Sequence, residues 1–235
     1  MASAAPGLIA ITRATLLKDL RLEWRSKDSI NGMLFFALLV VVIFSFGFDP
    51  TAESSRAIAG GLIWVGSLFA AVVALNQAWA RELRNQVLDG YRVSPAPANS
   101  LFLGKVIGNY FFLLVLEIVI APLFVIFYDL RSVGPLRELV YVFLLGTWAL
   151  VVNGTFFSAL SLRTRSREMM LPLILFPISI PAVLAMVEAT TATLTGALSP
   201  AGTSATFPWL KMLAVYDIMF TTICLLLFEP VLHAE

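Results

Sequence analysis

Histidine and cysteine occur once each in this sequence of 235 residues, and acidic and basic side chains together make up only 13% of it. Cys224 lies in an apolar run, so it has no partner for an internal disulfide and joins no metal-binding cluster. His233 sits in the C-terminal tail, where a lone imidazole is a poor ligand or base. The zinc-type histidine spacing, the Gly-x-Ser-x-Gly elbow and the Cys-x-x-Cys-His haem attachment site are all missing. A phosphate-binding loop fails as well: Gly104 and Lys105 form the Gly-Lys pair, but Asn99 stands where the first glycine belongs and Val106 where Ser or Thr belongs. The expectation is a chain that is not an enzyme and does not hydrolyse ATP by itself. Its basic residues are scattered among loops, which gives no patch for nucleic acid. A short apolar core followed by a small-residue cleavage site is also missing, so the first apolar span is expected to stay as a membrane helix.

What the sequence does contain is apolar: 59% of its residues, with a mean hydropathy of +0.89. Lipid is the solvent such a chain fits. A bilayer core of about 30 Å takes about 20 residues per helical crossing. Apolar spans fall at 32–48, 58–79, 101–128, 139–162, 169–187 and 210–228. The expected fold is an all-α integral membrane protein of about six transmembrane helices, using residues 1–235 as one permease domain. Residues 1–30 precede the six-helix bundle of 31–235. Within 8–28, Leu16, Leu17, Leu20 and Trp24 fall near one helical face and Lys18, Arg21 and Arg25 elsewhere, the pattern of an amphipathic helix lying in the lipid interface.

Orientation follows from Lys and Arg in the short loops. The N-terminal segment carries Arg13, Lys18, Arg21, Arg25 and Lys27, the second loop Arg81, Arg84 and Arg92, and the fourth Arg163, Arg165 and Arg167, with Lys105 flanking. The opposite side has Arg56, Arg131, Arg137 and Lys211. Twelve against four puts both termini in the cytoplasm.

Pro172, Pro177 and Pro181 predict that the fifth span is bent or broken, with Ser179 as a nearby partner for freed carbonyls, and Pro122 predicts a kink in the third. Pro122, Pro177 and Pro181 are the candidate hinges. The stretch 188–208 reads as an external loop or a short re-entrant pair. Gly104 and Gly108 give a spacing that permits close helix approach. Polar residues inside the spans are few: Asn76, Gln77, Glu117, Asn153 and Asp217. Each should face protein or water, because an ionisable group at depth costs on the order of 3 kcal/mol on insertion scales. They are candidates for a transport path or for locking helices together.

The second loop, 80–100, is the most informative segment. Glu82, Leu83, Val87, Leu88 and Asp89 fit a short polar helix with an apolar ridge of Leu83, Val87 and Leu88, ended by Gly90. A corner of Ser94, Pro95, Ala96 and Pro97 then returns the chain to the membrane. Such a ridge suits docking into a groove on a soluble partner.

Several of these residues carry a resemblance. Gly61, Leu62, Ile63, Trp64, Val65 and Gly66, followed by Leu75, Glu82, Leu88, Asp89, Ser94, Pro95, Gly104 and Lys105, resemble the second span and coupling loop of the haem exporter protein B (CcmB) family, permeases of the ABC-2 type from bacterial cytochrome c maturation. Leu144, Leu145, Gly146 and Thr147, with Gly154, Ala159 and Leu160, agree in the fourth span, and 176–181 in the fifth. The resemblance implies a bacterial inner membrane location, a cytoplasmic ABC ATPase subunit that binds the ATP, a haem-handling membrane subunit and a periplasmic haem chaperone. It further implies two membrane halves, either two copies or a pairing with a related subunit. In that family ATP hydrolysis is linked to release of the haem-loaded chaperone. Haem is then cargo of the complex and not a bound cofactor, which fits a chain without a membrane histidine to ligate iron. Two other readings remain: an ABC-2-type exporter permease for a lipid, drug or polysaccharide, and a proton-coupled secondary carrier that uses Glu117.

Overall fold

A computed structural model describes residues 7–47, 53–85, 87–94, 96–128, 132–162, 164, 166–200 and 202–233. Side chains at 26, 28, 29, 53–57, 81, 89, 167 and 168 are not described, nor are Gln86, Pro95, Arg131, Arg163 and Arg165, which the loop and orientation readings used. Nine α-helices make up almost all of the described chain: α1 (Leu8–Ser26), α2 (Asp28–Gly47), α3 (Glu53–Gln77), α4 (Ala80–Arg84), α5 (Val87–Val93), α6 (Ala98–Phe127), α7 (Leu136–Ser161), α8 (Arg167–Thr195) and α9 (Thr206–His233). Helix is what lipid imposes, since a backbone without water must bond to itself. Six of these, α2, α3, α6, α7, α8 and α9, are long and apolar enough to cross a membrane. The protein is an all-α integral membrane protein.

Proline and glycine punctuate the bundle. Pro97 and Pro135 directly precede α6 and α7, where a missing N–H is harmless. Gly196, at φ 68°, ends α8 with its N–H on the carbonyl of Thr193. The chain then makes a tight turn, with one antiparallel bridge between Leu198 and Ser204, and enters α9. Among the described residues, the stretch after the fifth span is therefore the end of α8 followed by a turn, with no re-entrant helix pair. Gly134 N–H bonds to the Thr193 carbonyl at 2.9 Å and Ser204 Oγ to Glu138 Oε2 at 2.6 Å, which ties the two connections on this side together.

The fifth span, expected to be bent or broken, is not broken. Pro172, Pro177 and Pro181 all lie inside the continuous helix α8, and Pro122 lies inside the continuous α6. Ser179 Oγ is buried without a partner, so it does not serve the freed carbonyls. Tyr216 of α9 bonds one residue beyond the Pro177 carbonyl that Pro181 frees: its hydroxyl donates to the Ile178 carbonyl at 2.9 Å and accepts from Asn153 Nδ2 of α7 at 2.9 Å. Three helices are thus tied together at the turn that Pro181 disturbs.

The core is built on large rings against small residues. Trp64 of α3 is fully buried, donates from Nε1 to Thr190 Oγ1 at 2.8 Å, and stacks near Phe143. Gly146 of α7 lies so close that an added Cβ would sit 2.6 Å from the Trp64 ring and against Met186. Gly146→Val is expected to cost about 1–3 kcal/mol by overpacking, read as an earlier thermal transition in detergent; an unchanged transition would show that the helices can move apart there.

Candidate functional site

The segment between α3 and α6 is held at both ends and bare in the middle. After Gln77 the chain turns through Ala78 and Trp79 into α4, passes Asn85, and forms α5 before Ser94. One polar helix ended by Gly90 was expected; among the described residues there are two short helices, with Asn85 outside both and Gly90 inside α5. Trp79 is 1% exposed, donates from Nε1 to the Thr155 carbonyl at 3.0 Å, and stacks on Phe228.

Glu82 is not a surface residue of this loop. It is 4% exposed and sits in a cluster of charges contributed by three separate elements. Its Oε1 accepts from Lys18 Nζ of α1 at 2.7 Å and from Lys105 Nζ of α6 at 2.8 Å. Lys105, also 4% exposed, further donates to Asp19 Oδ2 at 3.0 Å and to the Ala78 carbonyl at 2.7 Å, and lies 5.0 Å over the Trp79 ring. Lys18 closes the circuit on Asp19 Oδ1 at 3.1 Å. Two cations and two carboxylates balance, which is the condition under which buried charge is tolerated. Burial works against the charge of Lys18, but the hydrogen bond to Glu82 and the fields of Asp19 and Glu82 outweigh it and hold the ammonium above its ordinary range. That contribution to stability is present in full below the ordinary lysine pKa and fades only as pH rises beyond it.

The same side of α1 is fitted to α6 by shape. Thr12 Oγ1 donates to the Ser100 carbonyl at 3.1 Å, and a Cβ on Gly104 would sit 2.7 Å from the Thr15 side chain. Leu16 rests on Gly108. The small-residue spacing of Gly104 and Gly108 therefore receives α1, not a membrane-spanning helix. The face of α1 turned to the protein is Thr12, Thr15, Asp19 and Glu23, while Ile9, Leu17 and Trp24 stay exposed. Leu16 and Leu20 are half-buried, so the expected apolar face is divided between bundle and exterior.

The expected ridge divides too. Leu83 and Val87 are exposed, at 41% and 39%, and Val93 at the end of α5 is more so. Leu88 instead turns inward, lining with Leu83, Val231 and Leu232 a pocket of about 70 Å³. Arg92 Nε donates to the Leu232 carbonyl at 3.0 Å, which caps the end of α9 and pins α5 to it. The side chain of Asp89 lies outside the described residues.

The polar residues of the spans separate by partner. Asn153 Nδ2 reaches the Ala149 carbonyl at 3.0 Å as well as Tyr216, and Glu117 Oε2 accepts from Thr147 at 2.6 Å. Asn76 Oδ1 and both oxygens of Asp217 are buried without a partner. Gln77 is exposed beside Asn109 and Lys105, in the wall of a small cavity next to the charge cluster. Asp19 and Lys105 are the residues that sequence reasoning missed as part of a site; the only signal was a lysine inside an otherwise apolar span.

The family model described as "CcmB protein" matches residues 10–229. "Heme exporter protein B" of Rhodobacter capsulatus is 32% identical over 172 residues, 73% of this chain and 78% of that protein. The proteins of the same name from Paracoccus denitrificans and Pseudomonas aeruginosa are 29% and 25% identical, covering 75% and 88% of this chain and 81% and 90% of their own lengths.

Proposed function

The chain belongs to the CcmB protein family, and from that membership and its anchored loop we propose that it is the membrane permease subunit of the haem-exporting ATP-binding-cassette system of cytochrome c maturation. ATP hydrolysis falls to a separate cytoplasmic ATPase subunit, and haem is cargo of the complex. A haem-handling membrane subunit and a periplasmic haem chaperone complete the set, and a second permease half pairs with this one. Residues 1–30 form the interfacial segment and 31–235 the membrane bundle, set in the bacterial inner membrane with both termini in the cytoplasm; the arginine and lysine distribution of the loops supports that orientation.

The observation that carries the reading is the contrast within one loop. Leu83 and Val87 are free to meet a partner, while Glu82 and Arg92 tie the same segment to α1, α6 and α9. A loop built this way acts as a lever: closure of the ATPase displaces α4 and α5, and the charge cluster delivers that displacement to α1 and α6 as a rigid-body shift. Pro122, Pro177 and Pro181 are where α6 and α8 yield, since each removes one backbone hydrogen bond. Glu117 and Asn153 hold helices together. Gly90 and Asp89 extend the docking surface, and Asn76 and Gln77 mark the inner end of α3.

The test is Leu83→Asp with Val87→Asp, at the two exposed positions of the ridge. The variant is expected to reach the membrane at the normal level and to lose copurification of the ATPase subunit by about tenfold or more, as for two central apolar contacts of an interface. Undiminished copurification would reject the docking surface, and transport that persists without the ATPase would favour the proton-coupled carrier instead.

A further inference from the structure

An open groove of about 600 Å³ runs along one flank of the bundle between α6, α7 and α9, lined by Tyr110, Leu144, Trp148, Asp217, Ile218 and Thr222 among others. Most of its wall is apolar, but Asp217 is 6% exposed and neither of its oxygens has a donor. Three donors that line the groove are already committed. Tyr110 donates to the Leu144 carbonyl at 3.1 Å, Trp148 to Thr221 Oγ1 at 3.0 Å, and Thr222 to the Ile218 carbonyl at 2.7 Å. Asp217 lies eleven residues into α9, about 16 Å along its axis at 1.5 Å per residue, well inside the apolar layer. Lipid tails cannot donate at that depth, so a lipid filling the groove would leave the carboxyl as it is.

A second copy of this chain has no free cation to supply at that depth. Apart from Lys105, whose ammonium is held by Asp19 and Glu82, the stretches 30–47, 58–79, 98–127, 139–161, 169–195 and 212–233 contain no Lys or Arg. Lys211 lies six residues nearer the end of α9, about 9 Å away along the axis. We infer that this groove seats a transmembrane helix of a different subunit, one that carries a lysine or arginine at the level of Asp217. The two oxygens are covered in the unpartnered chain, so the Asp217 side chain turns out into the groove to meet a guanidinium or ammonium there, and the apolar walls take the rest of the helix.

The experiment places a photo-crosslinking benzoylphenylalanine at Ile218, 70% exposed in the groove, in the complete complex in native membranes, with the crosslinked peptides sequenced. The expected product is one apolar segment of a different chain, with a lysine or arginine within about one turn of the crosslink. Asp217→Leu is expected to lower its yield about tenfold or more, as for truncation of one partner of a buried charge pair. Should Asp217→Leu reach the membrane poorly, Ala214→Trp fills the groove with the carboxyl intact and is expected to abolish the crosslink equally. Lipid adducts alone, crosslinks only to a second copy, or a yield indifferent to both variants would overturn the inference. The Leu83→Asp, Val87→Asp variant is expected to keep this crosslink, so failure of the ATPase docking surface and failure of the groove are separable.

Discussion

Glu82→Leu is expected to destabilise the folded protein by about 3–5 kcal/mol, the range for removing one member of a buried ion pair. The size comes from what is left behind. Lys105, 4% exposed, keeps Asp19 and the Ala78 carbonyl but loses its closest carboxylate, and Lys18 loses its shortest contact, at 2.7 Å. The cluster then holds two cations against one carboxylate. The measurements are the thermal transition of the purified complex and haem release driven by ATP, and both should fall. An unchanged transition would mean that water reaches the cluster and that it is not buried in the membrane-bound protein.

The double variant Glu82→Leu with Lys105→Met separates stability from mechanism. It restores the charge balance, because Lys18 and Asp19 remain paired at 3.1 Å, and replacement of a buried pair by apolar side chains of similar volume is often neutral or stabilising. Most of the lost stability is therefore expected to return, read as strong non-additivity of the two changes in a double-mutant cycle. Transport is expected to stay low, since the polar tie between α4 and α6 is gone. If transport returned together with stability, the cluster would be a structural support and the lever reading would fail.

How far the residues announced this arrangement depends on the length scale of the physics involved. The spans were legible because lipid acts on each segment alone: an apolar run of sufficient length becomes a helix whatever its neighbours do. Tight packing was half legible. Gly104 and Gly108 announced a close approach but not which helix approaches, and α1 fills that place through Thr12, Thr15 and Leu16. Glu82 was misread as a solvated loop residue because its partners Lys18 and Lys105 lie 64 and 23 positions away, beyond any periodicity. The prolines of α8 show the converse: the local rule predicts a bent or broken helix, and α8, packed on α7 and α9, runs unbroken through all three. Leu83 and Val87 are exposed, as a short amphipathic pattern alone suggests; Leu88 turns inward, which depends on the end of α9.

Gly104→Leu is expected to undock α1 and to stop ATP-driven transport while leaving the six membrane helices in place. A Cβ at position 104 already meets Thr15 side-chain carbons at 2.7 and 2.9 Å and the Thr12 carbonyl at 3.0 Å, and the last of these is backbone that cannot rotate away. Three further carbons make the approach impossible, so α1 must lift. Overpacking of this kind costs about 1–3 kcal/mol where the helix can adjust. Here the adjustment also draws Lys18 and Asp19 of α1 away from Lys105 and Glu82, so the contact and the charge cluster fail together. Docking is read by the reactivity of a cysteine placed at Thr15, 4% exposed in the docked helix, toward a membrane-impermeant maleimide in inverted vesicles. It should be protected beside Gly104 and labelled in the Gly104→Leu background, while Gly104→Ala, with a single added carbon, gives an intermediate result. Copurification of the ATPase through Leu83 and Val87 is expected to survive, because α5 stays pinned to α9 by Arg92. A Gly104→Leu protein that transports normally with Thr15 labelled would show that α1 rides on the bundle without taking part in its motion, and the path from loop to membrane would then run through Lys105 alone.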